Sequence, residues 1–99
     1  GDHEGLVDIG VDIEGVEVAI FAREESENEY KYSLRSKEYV NVSDVCLMFN
    51  GGGHPRAAGC TINGDLEQGK QKLLNEIMKT KTNDDFIQRL KLISFNKNN

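Results

Sequence analysis

The 99-residue chain is poor in cysteine, in histidine, in long apolar runs and in net positive charge. Two cysteines, Cys46 and Cys60, cannot make a disulfide scaffold. Each sits among apolar neighbours, so both read as reduced, buried and structural. No stretch approaches the roughly 18 apolar residues that cross a bilayer, and no basic, apolar-cored signal segment opens the chain. No membrane partner is expected, and a cytoplasmic location is the default. The two histidines, His3 and His54, lie far apart, with no His-x-Glu, Asp-His-His or Cys-x-x-Cys cluster around them. That excludes the usual metal-ligand spacings. No Ser-His-Asp set suggests itself either. Phosphoester hydrolysis normally needs metal ions or another strong electrophile. The chain is therefore expected to bind and not to cut, with no catalytic residue, metal or cofactor of its own.

The charge deficit is uneven. Seventeen acids face twelve Lys and Arg residues, which argues against wrapping a long nucleic acid, because that takes a broad basic surface. Residues 1–30 hold ten of the acids and one base, Arg23. Residues 31–60 hold four bases and two acids. A locally positive segment in an acidic chain suits a small anionic ligand held at one point, though ordinary surface scatter would look similar.

Length and composition indicate one domain, or one piece of a larger protein, able to bury roughly two-thirds of its unfolded surface. Residues 1–15 lack a clean period, although Leu6, Val7, Ile9, Val11 and Ile13 are apolar enough to pack, and His3 carries little functional weight. From Val16 to Arg23 the sequence alternates, with Val16, Val18 and Ile20 on one face and Glu17, Ala19 and Phe21 on the other; this predicts a strand. Glu24 to Glu29 reads as a turn. Tyr30 to Ser36 alternates again and pairs with the first strand as an antiparallel hairpin. Ser43 offers an N-cap to a short helix carrying Val45, Cys46, Met48 and Phe49, which the glycine run stops. A strand follows over Ala57 to Ile62, then an Asn63-Gly64 turn. Asp65 caps a helix with Leu66, Gly69, Leu73, Leu74 and Ile77 on one face. Phe86, Ile87, Leu90 and Ile93 suggest a third helix, with Leu92, Ile93 and Phe95 leaving its end ambiguous. The expected fold is α/β in the α+β sense: a small mixed sheet with two to three helices packed on it, in a single domain.

The chemistry concentrates in two stretches. The first is Asn50 to Cys60, NGGGHPRAAGC. Each Gly costs about 0.5–1 kcal/mol relative to Ala in regular structure, so three in a row need a reason. A P-loop is excluded, because His54-Pro55 stands where Lys-Ser/Thr belongs. A dinucleotide fingerprint is excluded, because its glycines follow a strand and these follow a helix. What remains is a nest: the N–H groups of Gly51, Gly52 and Gly53 converging on an anion, with His54 and Arg56 beside them. The plainer alternative is a helix stop followed by a packed histidine. The second stretch is Ser33-Leu34-Arg35-Ser36. Strand alternation puts Ser33 and Arg35 on one face, and an arginine fork matches phosphate oxygens bidentately. A solvent-facing arginine is the plainer alternative here.

These residues, SLRS followed by VNVSDVCLMFNGGGHPRAAGCTI, resemble the C-terminal substrate-binding domain of DHH phosphoesterases, a group that includes RecJ-like exonucleases. The hallmark of that domain is GGGH-x-x-AAG, met here by Gly51, Gly52, Gly53, His54, Ala57, Ala58 and Gly59. EGVEVAIFARE is similar to the opening strand of the domain in the nano-RNase and pAp-phosphatase branch. The resemblance covers Glu14 to Ile77. The last twenty or so residues lie outside it, and with the residue patterns at either end the expected boundaries are 1–13 for a linker remnant or N-terminal extension, 14–79 for the substrate-binding domain and 80–99 for a C-terminal helical extension. The resemblance implies that Ser33, Arg35, Ser36, Gly51, Gly52, Gly53, His54 and Arg56 bind the substrate phosphate. It further implies a separate N-terminal domain in cis, whose Asp-His-His motif binds Mn²⁺ and hydrolyses short oligoribonucleotides and 3′-phosphoadenosine 5′-phosphate. Short oligoribonucleotides or nucleotides and a second copy of the parent are the other partners it implies. Two relatives compete: a cyclic-dinucleotide phosphodiesterase domain, disfavoured by Ala57-Ala58-Gly59, and the RNA-binding module ending many alanyl-tRNA synthetases, disfavoured by the negative charge. A structural interaction domain whose glycine loop is only a turn is the third alternative.

Overall fold

The computed structural model describes residues 16–79 and, as a strand without its side chains, residues 92–97. The expected linker remnant at 1–13, and the first part of the expected helical extension, 80–91, lie outside the described residues.

Val18–Ser26 forms β1 and Glu29–Ser36 forms β2, joined at Glu27-Asn28. The strands run past the acidic stretch read as a turn, because only Asn28 takes the left-handed conformation, φ 55°, that closes a tight hairpin. Val42–Leu47 is helix α1, Gly52–His54 is β3, Ala57–Asn63 is β4, Leu66–Lys79 is α2 and Leu92–Lys97 is β5. Among the described residues the sheet has five strands in the order β3-β4-β2-β1-β5, antiparallel throughout except for β1 with β5. It is the small mixed sheet the sequence predicts. Leu92–Lys97 corrects the expected helical extension: it lies parallel to β1 as an edge strand. The helical spacing of Phe86, Ile87, Leu90 and Ile93 does not carry into this segment, where a short apolar run cannot by itself separate a helix from a strand.

Both described helices cover one face. The core there comprises Val18, Ile20 and Ala22 of β1, Tyr32 and Leu34 of β2, Ala58, Cys60 and Ile62 of β4, and Val42, Val45, Cys46, Leu73 and Ile77 of the helices. Asp65 caps α2 as expected, and reciprocally. Its Oδ1 accepts from Gln68 N at 2.8 Å, while Asp65 N donates to Gln68 Oε1 at 3.0 Å, a capping box. The cap of α1 is Asn41 and not Ser43: Asn41 Oδ1 accepts from Asp44 N at 3.0 Å, and Ser43 Oγ donates instead to Gly53 O at 3.2 Å.

Gly69 serves packing. A Cβ there would collide with the Tyr32 hydroxyl, which donates to Leu66 O at 3.1 Å. Burial pushes the Tyr32 phenol up to about 12, with Cys60 and Tyr30 adding to the shift. A folded-state value raised above the ordinary 10.0 leaves stability untouched below pH 10 and erodes it as pH climbs toward 12. Chemical-denaturation midpoints across that window should fall more steeply for the wild type than for Tyr32→Phe. Parallel slopes would mean that the hydroxyl ionises as freely in the folded chain as in the unfolded one.

Cys46 and Cys60 are free and buried, as expected. A hydrogen bond to Cys60, aided by burial, holds the Cys46 thiol well above the ordinary range. This contact joins the end of α1 to β4, beneath the glycine run.

Candidate functional site

Strand register assembles the candidate residues. Arg35 of β2 is paired with Ala57 of β4, and Ala57 is paired with His54 of β3. Paired residues share a face, so Arg35 and His54 flank Ala57 in one row, their backbones about 10 Å apart at the usual strand spacing. The next row is Ser33, Gly59 and Gly52. These rows lie on the face opposite the helices. At the β1 end of that face Ala19 and Phe21 are already buried, so it is open toward β2, β4 and β3. Alanine and glycine on the central strand leave a low floor between the two side-chain walls.

The eight expected site residues divide unequally. Ser33 and Arg35 are half-buried on the open face, and Arg35 Nη1 donates to Leu34 O at 3.1 Å. His54 is exposed at the end of β3. Arg56 occupies the two-residue turn after it, half-buried, with Nη1 buried and lacking any hydrogen-bond partner. A buried guanidinium nitrogen without an acceptor is costly, and an anion would satisfy it. Ser36 is a correction. It lies on the core face, 5 % exposed, and its hydroxyl donates to Val40 O at 2.6 Å and Pro55 O at 3.2 Å. It braces the turn that carries His54 and Arg56 and does not reach the open face. Alternation places Ser36 opposite Arg35, a consequence of the strand period that the SLRS motif obscures.

The nest of three glycine amides is also corrected. Asn50 ends α1 in the left-handed conformation, φ 63°, and Gly51 N donates back to Cys46 O at 2.9 Å. With Asn50 N donating to Leu47 O at 3.2 Å, this is a Schellman closure, and it consumes the first amide. Ser36 N donates to Arg56 O at 3.0 Å, which fixes the phase of the ladder. Antiparallel alternation then turns the amides of Gly52 and His54 into β4 and only that of Gly53 to the sheet edge. The glycines serve close approach instead. A Cβ on Gly51 would collide with Gly59 O and stand 2.6 Å from Cys60 Cβ. Gly53 adopts φ 150°, and its Cβ would stand 2.6 Å from Ala57 O. Gly52 differs: the nearest atom to a Cβ there is Leu47 Cδ2 at 3.8 Å, an ordinary contact.

Sequence reasoning missed the part that positions the turn. Glu17 is 5 % exposed, and its carboxylate accepts from Tyr39 N and Val40 N at 2.9 Å and from Glu38 N at 3.2 Å. It pins the loop whose Val40 carbonyl receives Ser36 Oγ. Val42 N meanwhile donates to Pro55 O at 2.9 Å, tying the turn to α1. A lone acid on an otherwise apolar strand was the available signal. Among the described residues no three His, Cys, Asp or Glu side chains converge, so no metal site can be built from them.

The family model described as DHHA1 domain matches residues 1–82. The chain is 32% identical over 87 residues to the bifunctional oligoribonuclease and PAP phosphatase NrnA of Thermus thermophilus, covering 87% of this chain and 26% of that protein. It is 38% identical over 56 residues to the protein of the same name from Mycoplasma pneumoniae, covering 57% of this chain and 17% of that one. Among solved structures, an exopolyphosphatase-related protein from Bacteroides fragilis superposes with a TM-score of 0.70 at 35% identity, over 80% of this chain and 23% of that one. A pGpG-specific phosphodiesterase, PggH, from Vibrio cholerae superposes at 0.51 with 17% identity, over 64% of this chain and 23% of that one, a likeness of fold. The chain spans about a quarter or less of the length of each of these proteins.

Proposed function

This chain belongs to the DHHA1 domain family of DHH phosphoesterases, and from that premise we propose that it grips a phosphate of a nucleotide or short oligoribonucleotide. It presents that ligand to a metal-bearing catalytic domain elsewhere in the same protein. The observation that carries the reading is the single row of Arg35, Ala57 and His54 across three strands. Arg35 supplies a planar fork, His54 an exposed imidazole, and Arg56 a buried guanidinium nitrogen with no hydrogen-bond acceptor among the described residues. Ala57 and Gly59 keep the floor low enough for a phosphate to reach both Arg35 and His54. Ser33 stands one pleat further along the same face. The names of the relatives, an oligoribonuclease and PAP phosphatase among them, support a substrate built from nucleotides. The acidic balance of the chain favours a short ligand over a long one.

Hydrolysis in this reading belongs to the other domain, where Mn²⁺ would supply the Lewis acid and the activated water. The residues described here hold, orient and neutralise. They contribute the binding energy that keeps the scissile group in place, and mispositioning it is expensive in rate.

The test is calorimetric titration of the chain with 3′-phosphoadenosine 5′-phosphate. Arg35→Ala removes a charge-assisted pair worth ~1.5–3 kcal/mol, so the affinity should drop about 10- to 100-fold. His54→Ala should weaken binding too, with the melting temperature unchanged in both variants. Wild-type affinity in the two variants would mean that Arg35 and His54 do not hold the phosphate.

A further inference from the structure

A second concavity opens beside the row of Arg35 and His54. β3 ends at Gly52 while β4 runs on to Asn63, leaving a notch of about 520 Å³ at the sheet edge. That volume lies within the range of small-ligand sites. Its floor includes Gly52 and Gly59, which are paired across β3 and β4 and so leave a strip of sheet without side chains. Half-buried Phe49 and exposed Asn50 stand on one side; exposed Lys31 and Thr61, themselves a cross-strand pair, stand on the other. None of these four residues belongs to the phosphate-gripping set.

The contents of the notch have a definite chemistry. A bare glycine strip beside an aromatic ring accepts a flat apolar face. The Asn50 amide and the Thr61 hydroxyl offer donors and acceptors to the edge of such a group. Lys31 offers a cation with no ion-pair partner among the described residues; Glu25, whose carboxylate feels the Lys31 charge, is bonded to Arg23. A flat, edge-polar group joined to an anion describes a nucleotide unit. Lys31 and Arg35 lie on the same face of β2, four residues apart, or about 13 Å at strand rise. The notch is lined by Lys31 and not by Arg35, so the two cations serve different parts of a ligand.

We propose that the notch between Lys31 and Asn50 is a subsite for a second nucleotide unit, its base lying on the Gly52–Gly59 strip and its phosphate meeting Lys31. The proposal rests on the reading above, in which Arg35 and His54 hold the first phosphate. It makes the chain a reader of ligand length. A mononucleotide fills only the first site, whereas a dinucleotide or longer strand fills both.

The experiment titrates the full chain with two probes, adenosine 3′,5′-bisphosphate and a 5′-phosphorylated adenylyl dinucleotide. Lys31→Ala and the notch-filling Thr61→Phe alter exposed positions, and melting temperatures check that both variants fold. Lys31→Ala should weaken the dinucleotide about 10-fold, the value of one charge-assisted phosphate contact, Thr61→Phe should weaken it by filling the notch, and both should leave the bisphosphate unchanged. Amide shifts of Asn50 and Thr61 should move with the dinucleotide and stay still with the bisphosphate. If the bisphosphate binds through Arg35 but neither variant alters the dinucleotide, the second subsite is overturned and the first stands. If the wild-type chain binds neither probe, both are overturned.

Discussion

Gly51→Ala is expected to lose at least ~3 kcal/mol of stability, the upper end of ordinary overpacking. At about 4–8 °C per kcal/mol for a domain of this size, its melting temperature should drop by roughly 12–24 °C. The cause is local and geometric. The new methyl collides with Gly59 O and stands 2.6 Å from Cys60 Cβ, neither of which is the loose end of a flexible side chain. Relief requires β3 to move away from β4, and that movement breaks the row on which His54 sits. Gly52→Ala, one residue on, should melt within about 1 kcal/mol of wild type, because its methyl meets only Leu47 Cδ2 at 3.8 Å. Thermal melts of the two variants in parallel decide the matter. Equal losses would mean that the glycines act through the unfolded state and not through packing. The contrast also isolates function. Gly52 is the one glycine of the three whose bareness the fold does not demand, so Gly52→Val should fold and bind nucleotide poorly.

Glu17→Ala is expected to cost about 3 kcal/mol or more, since it strips three neighbouring backbone N–H groups of a charged acceptor. Those groups belong to Glu38, Tyr39 and Val40, and the Glu17 backbone oxygen adds a fourth tie, accepting from Lys37 N at 2.9 Å. Val40 is fully buried, so the loop cannot simply turn its amides to water without withdrawing that side chain from the core. Glu17→Gln keeps one oxygen acceptor and should recover part of the loss. Urea denaturation of the three proteins measures this order. A Glu17→Ala variant as stable as wild type would show that the loop closes without its carboxylate clamp. Ser36 and the Pro55-Arg56 turn stand downstream of that loop, so hydrogen exchange at Ser36 and Val42 should quicken in Glu17→Ala.

The two substitutions mark the boundary between what could be read along the chain and what could not. Period-two alternation in Val18–Ala22 and Tyr30–Ser36 sufficed for the hairpin, and the apolar face from Gly69 to Ile77 sufficed for α2, because both patterns are written in neighbouring residues. The GGGH-x-x-AAG stretch and the SLRS strand supplied Arg35 and His54 as candidates, which the strand register sets in one row. Adjacency in the chain misled at Ser36, which the motif grouped with Arg35 but the strand period sends to the core. It misled again at Gly51, whose amide closes a helix. Leu92–Lys97 was illegible for a related reason. An apolar run that short fits either period, and only the partner strand β1 decides between them.

What the sequence determined by itself was therefore whatever depends on local spacing: the alternating strands, the amphipathic helix, the capping Asp65 and the residue types able to hold an anion. Tertiary structure alone decided which of those residues share a face, because register is a relation between strands that no single strand encodes. Arg35, Ala57 and His54 form a row only because β4 lies between β2 and β3 in one particular alignment; a one-residue slip would send Arg35 and His54 to opposite faces of the sheet. The same alignment made a clamp of Glu17, since the three amides it holds lie beyond the far end of the neighbouring strand, where no pattern along the chain could point.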